Sequence, residues 1–159
     1  MKISIQNPDF SLQDEYDQLK NRSGSQGAVV TFVGLVRDMI QDESNKNQQS
    51  IVALELEHYP NMTEKYLHKI VTEANKRWEI GAATIIHRIG KILLDEQIVF
   101  VGITSSHRQQ AFEACWFLMD KLKTEAPFWK KEIVQIDGQI QEHWVEAKLT
   151  DQDAMKKWH

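Results

Sequence analysis

The chain has 159 residues, 42% hydrophobic and 26% charged, with one cysteine and a formal net charge of -4. That size and apolar share suit one globular domain, residues 1–159, whose core needs no disulfide, and the acidic balance disfavours a nucleic-acid binder. No apolar run approaches the roughly 20 residues of a membrane span, and MKISIQNPDF lacks a signal peptide's apolar core, so cytoplasmic residence is expected.

In chain order, residues 2–6 read as a short strand, followed by a polar helix through Leu12, Tyr16 and Leu19. The β-branched run 27–37 reads as a mostly buried strand ending at Arg37. Residues 41–50, QDESNKNQQS, are polar and aperiodic and are expected to form a mobile loop. Residues 51–59 alternate apolar and polar, the pattern of a half-buried strand. Pro60 and Asn61 then introduce a helix, with Asn61 and Glu64 as a capping pair. Its apolar stripe is Met62, Tyr66, Leu67, Ile70, Val71, Ala74 and Trp78.

Two further strands, 82–90 and 97–104, are joined by a loop containing Leu94, Asp95 and Glu96. A second helix spans about 106–124, with Phe112, Cys115, Met119 and Leu122 on one face, and stops before Pro127. Segments 133–136 and 144–148 flank Asp137-Gly138 as a hairpin with a loop longer than a tight turn. Residues 151–159 are polar and helix-compatible. The mixture of helices and strands makes an α+β or α/β sandwich.

The stretch TSSHRQQAFEACWFLMDKLKTEAPFWKK, residues 104–131, carries the chemistry. His107 and Arg108 stand at a helix start, after serines suited to N-capping, where positive charge costs about 0.3–1 kcal/mol per group. Two readings stand for the pair: a surface dipeptide, or charges that join the exposed N–H groups to hold an anion, most often phosphate. His107 is also placed where a histidine could serve acid–base work. Lys123, in the last helical turn, is favourable there for structural reasons alone. Lys130 lies beyond the proline break, and two lysines flanking a turn can converge on one ligand, as acid, base or nucleophile. Arg37 is either a solvated edge residue or a guanidinium set for bidentate phosphate contact. Cys115 reads as core, and there is no glycine-rich phosphate loop, paired-cysteine metal site or HExxH pattern. Any sulfur handled here must arrive from elsewhere. Trp116, Trp129 and Trp144 are either core or partner surface.

Six blocks stand in order: GAVVTFVGLVRD (27–38), LELEHYPNMTEK (54–65), IHRIG (86–90), IVFVGITSSHRQQAFEA (98–114), LKTEAPFWKKE (122–132) and HWVEAK (143–148). In that order and spacing they resemble the large, catalytic subunits of molybdopterin synthase. The resemblance implies an α+β fold, an α/β hammerhead-type sandwich with an additional small antiparallel sheet. It implies a homodimer, extended to a heterotetramer by two copies of a small ubiquitin-like sulfur-carrier subunit whose C-terminal Gly-Gly bears a thiocarboxylate. The implied reaction adds two sulfurs to cyclic pyranopterin monophosphate and opens the cyclic phosphate, giving molybdopterin, with no cofactor or metal of its own.

Residue by residue, the resemblance implies catalysis by Lys123 and Lys130. It implies substrate binding by Arg37, His107, Arg108, Lys123, Lys130, Lys131 and Glu132, in a pocket lined by Phe32 and Met119. Lys131 and Lys148 stand where relatives can carry arginine, whose fork lysine does not reproduce. A non-catalytic module that binds a ubiquitin-like tail or a small anion is the alternative; an RNA-associated domain is disfavoured by the charge.

Overall fold

The computed structural model describes residues 1–38, 49–145 and 155–158. The elements are β1 (Lys2–Gln6), α1 (Leu12–Ser23), β2 (Ala28–Leu35), β3 (Gln49–His58), α2 (Met62–Arg77), β4 (Ala82–Arg88), β5 (Gly90–Leu93), β6 (Gln97–Ser105), α3 (Arg108–Thr124), β7 (Phe128–Ile136) and β8 (Gln139–Val145), then a 3-10 turn at Met155–Trp158. One sheet has the order β1-β4-β6-β2 and the other β5-β3-β7-β8. Apart from the parallel β1–β4 pair, neighbouring strands are antiparallel. This is the expected mixed fold with an additional antiparallel sheet. No helix among the described residues is long and apolar enough to cross a membrane.

The helical stripes bury as their periodicity requires. Leu67, Ile70, Val71 and Ala74 of α2 and Ala111, Ala114, Phe117 and Leu118 of α3 pack on Ala83, Ile85, Val101 and Ile103 of the first sheet. On the opposite face α1 lies against β4 and β6, with Leu19 fully buried. Gly102 makes that approach possible, because a Cβ there would stand 2.7 Å from the Leu19 side chain. A second apolar cluster, Val36, Ile51, Leu54, Leu56, Ile92 and Val134, knits the second sheet to the end of β2.

Several sequence expectations are corrected. The run 27–37 is not mostly buried: among the described strands β2 lies at the sheet edge and is bonded only to β6, and Phe32 and Leu35 are 40% and 54% exposed. The segment 82–93 is not one strand and a loop. Gly90, at φ 78°, turns the chain out of the first sheet so that β5 pairs with β3 in the second. Asn61 holds the N-cap position of α2, but at φ 66° its side chain makes no cap bond, so the expected capping pair with Glu64 does not form. The hairpin is a tight one, since Asp137 and Gly138 take φ 48° and 81° and β8 begins at Gln139. Positive φ at both positions is the type I′ pattern that matches strand twist. Helix α3 is capped by His107 rather than a serine, and His107 makes no side-chain cap bond. Of the two readings open for Trp116, Trp129 and Trp144, the exposed one holds for all three. Residues 41–48 of the expected mobile loop lie outside the described residues, as does Lys148; positions 49 and 50 belong to β3.

Candidate active site at the C-terminal end of helix α3

The strand register decides which charges meet. Ala28 pairs with Ser105 and Gly34 with Val99, so β2 runs from the β6 C-terminus back toward its start. Helix α3 leaves the β6 C-terminus and packs on both β6 and β2, hence it runs the same way as β2. Its last turn, with Lys123, therefore lies toward the end of β2 beyond which Arg37 stands. His87 pairs with Val99, which puts it in the same row as Gly34, two strands away.

Lys130 belongs to this end as well. On β7 the side chains alternate, and Lys130 and Glu132 share the face of Val134, which is buried in the second core. Lys130 lies close enough to His87 for its charge to help lower the imidazole pKa. Burial is the larger cause, and together they hold His87 at about 4, neutral under ordinary conditions. Its ring stacks on Phe128 with centroids 4.0 Å apart. Thus the structure brings Arg37, Lys123 and Lys130 to one end of the first sheet.

A cavity of about 410 Å³ opens beside them, lined by Phe32, Phe112, Cys115, Trp116, Met119, Asp120 and Lys123, with Val30 and Thr31. Phe32, Met119 and Lys123 thus share one pocket. Phe112, Trp116, Met119 and Lys123 form a single helical stripe, and β2 supplies the facing wall. The walls are aromatic and exposed: Phe112 61%, Trp116 59%. The final 3-10 turn braces the rim, where Trp158 Nε1 donates to Asp120 Oδ2 at 2.7 Å and the Lys157 ammonium lies 3.5 Å from the Trp116 ring centre. Burial pushes the Cys115 thiol up to about 12, so it stays protonated and is a poor nucleophile.

Other expected site residues fall elsewhere. Lys131 points to the opposite face of β7 from Lys130, where it pairs with Glu142 at 3.5 Å and lies 4.9 Å from the Trp144 ring centre. Glu132 is bound to His143 at 3.0 Å. His107 and Arg108 are exposed at the start of α3, and at about 1.5 Å per residue the helix puts Lys123 roughly 22 Å from Arg108. His107 lines a separate polar cavity of about 780 Å³ with Gln26, Lys76, Arg77 and Gln110. Within one chain, therefore, the His-Arg pair and the lysine pair do not share a ligand.

A family model described as MoaE protein matches residues 5–125 of the chain. The chain belongs to the MoaE family. Over 157 residues it is 50% identical to the molybdopterin synthase catalytic subunit of Escherichia coli, covering 99% of this chain and 97% of that relative. Among solved structures it is similar to a molybdopterin cofactor biosynthesis protein E from Burkholderia multivorans, with 46% identity, a TM-score of 0.79, and coverage of 99% and 95% of the two chains. A molybdopterin synthase structure from Staphylococcus aureus has 30% identity and a TM-score of 0.76, covering 90% of this chain and 96% of that one.

Sequence reasoning missed four features of this MoaE-family site: His87 beside Lys130, and Phe112, Trp116 and Asp120 in the pocket wall. The helical spacing of Phe112, Trp116, Met119 and Lys123 was a signal for the wall. For His87, its place in strand alternation with Ala83 and Ile85 on the helix-covered face was the available signal.

Proposed function

We propose that the chain is the catalytic subunit of a molybdopterin synthase, acting as one domain. It converts cyclic pyranopterin monophosphate to molybdopterin with sulfur from the C-terminal thiocarboxylate of a small ubiquitin-like subunit. The observation that carries this reading is the pocket of Phe32, Met119 and Lys123, beside the end of the sheet where Arg37 and Lys130 also stand. An extended Gly-Gly tail suits an aromatic slot along an edge strand, because among the described residues β2 has a hydrogen-bonding edge without a strand partner. A phosphate-bearing substrate suits a cluster of cations, which offset charge as the cyclic ester opens. The names of the similar proteins, catalytic subunits at up to 50% identity, support the same reaction.

In this reading Lys123 stands at the tail's end and moves protons as each thiocarboxylate gives up its sulfur and becomes a carboxylate. Lys130 and Arg37 hold the substrate phosphate. Cys115 contributes no sulfur, since its thiol is kept protonated. His107 and Arg108 contribute to a second copy's site: the roughly 22 Å to Lys123 within one chain supports a homodimer with shared sites, two small subunits completing a heterotetramer. Glu132, on the Lys130 face of β7, extends the binding segment, and Lys131, on the other face, stands outside it.

The experiment is to mix the chain with thiocarboxylated small subunit and the cyclic precursor. Formation of the dithiolene product is expected. Binding of the small subunit with no product would favour a non-catalytic tail-binding module and contradict the proposal.

A further inference from the structure

The two lysines are joined by a very short piece of chain. Helix α3 ends at Thr124 and β7 begins at Phe128, so residues 125–127 alone set how Lys123 and Lys130 stand to one another. Helix α2, which contributes nothing to the pocket lining, grips this connector at two points. Thr63, fully buried, donates its hydroxyl to the Pro127 carbonyl at 3.0 Å and accepts the Tyr59 N–H at 3.1 Å. Tyr66 donates to Glu125 Oε2 at 2.7 Å, and Lys121 Nζ donates to Glu125 Oε1 at 3.0 Å. Burial pulls the Glu125 pKa upward, but these two bonds and the Lys121 charge outweigh it and keep the carboxylate ionised.

Both bonds are directional and local. Proline has no N–H, so the Pro127 carbonyl is the one backbone hydrogen-bonding group at that position, and Thr63 takes it up. Glu125 is the C-cap of α3, so a fixed Glu125 carboxylate pins the turn that carries Lys123. The next residue after the connector, Phe128, is itself held by the His87 stack, which leaves the connector anchored on both sides.

We infer that Thr63 and Tyr66 are positioning residues for the lysine pair, through their hold on residues 125–127. This rests on the reading of Lys123 and Lys130 as catalytic. Neither residue touches the pocket; each acts through the connector, and a displacement of about 1 Å at a reacting group can cost roughly 100-fold in rate.

The test uses the assembled enzyme with thiocarboxylated small subunit and three variants: Thr63→Val, Thr63→Ser and Tyr66→Phe. Two readouts are taken, steady-state kinetics and amide hydrogen exchange across 125–131. For Thr63→Val and Tyr66→Phe, kcat falls by about tenfold while KM for the precursor and small-subunit affinity stay within about twofold, and exchange speeds up only across 125–131. Thr63→Ser, which keeps the hydroxyl, restores both readouts. Unchanged kcat and unchanged exchange in Thr63→Val and Tyr66→Phe overturn the inference, as does a loss in Thr63→Ser equal to that in Thr63→Val. If Thr63→Val does not fold, Tyr66→Phe, which keeps the ring, decides alone. If the wild-type complex makes no product, the functional reading fails, and exchange across 125–131 still decides the positioning.

Discussion

His87 and Phe128 stack with ring centroids 4.0 Å apart and planes 21° apart, tying β4 of the first sheet to the first residue of β7 in the second. The contact places an imidazole beside Lys130 in a setting that keeps it neutral. Burial, with some help from the Lys130 charge, lowers its pKa from 6.5 to about 4. The unfolded chain therefore takes up a proton between those values that the folded chain refuses. Stability from this site is complete above pH 6.5 and declines as the pH falls toward 4. Replacing His87 with Phe should keep the stack and remove this part of the acid sensitivity. Urea unfolding at neutral pH and near pH 4.5 measures it; parallel losses in wild type and His87→Phe would show that His87 titrates normally.

Cys115 lines the pocket, and in the proposed reaction it has no chemical part, because its thiol is held protonated up to about 12. Cys115→Ala should keep product formation within about twofold and cost roughly 1 kcal/mol of stability, as for a small buried side chain. A variant that folds but yields no dithiolene would assign the thiol a role the structure does not support.

In the proposed function, the wall of Phe32 and Trp116 is where the partner's tail makes its apolar contacts. Aromatic residues buried by a partner commonly lose 1 kcal/mol or more on truncation, so Trp116→Ala and Phe32→Ala should each weaken small-subunit binding by about tenfold. Binding titrations with the carboxylate form of the small subunit measure this without chemistry. Unaltered affinity in both would place the tail elsewhere.

How much was legible beforehand depended on the range of the pattern. The stripe Phe112, Trp116, Met119 and Lys123 follows helical spacing within one element, so it carried a signal, but the apolar pattern selected the neighbouring face of Phe112, Cys115, Met119 and Leu122. Arg37 and Lys123 are far apart in sequence, and only the register, with β2 running alongside α3, brings them to one end. His107 and Lys123 mislead in the opposite sense: both belong to one short motif, yet the helix between them holds them apart. Strand β5 escaped because Gly90–Leu93 has only 4 residues, too few for alternation to stand out. The start of β8 escaped because Gln139, Gln141, Glu142 and His143 are polar on both faces of an exposed edge strand, with no apolar partner face to create a pattern. For His87, alternation with Ala83 and Ile85 signals its face, but its stack on Phe128 is a contact between sheets that no local spacing encodes.

Shared sites between two copies can be tested by mixing subunits. Lys123→Ala homodimers and Arg108→Ala homodimers should both be inactive or severely impaired. A mixed dimer carrying one change in each subunit should regain about half of the wild-type rate, because one of its two sites then has both residues intact. Mixed dimers no more active than either parent would place Arg108 and Lys123 in separate functions.

In the proposed function Lys123 does chemistry in the pocket and is not merely part of a docking slot. The most direct measurement compares wild type and Lys123→Ala for dithiolene formation from the cyclic precursor, with small-subunit affinity measured in parallel. Product is expected with wild type, none above background with Lys123→Ala, and small-subunit binding retained in both. Normal turnover by Lys123→Ala would contradict that role.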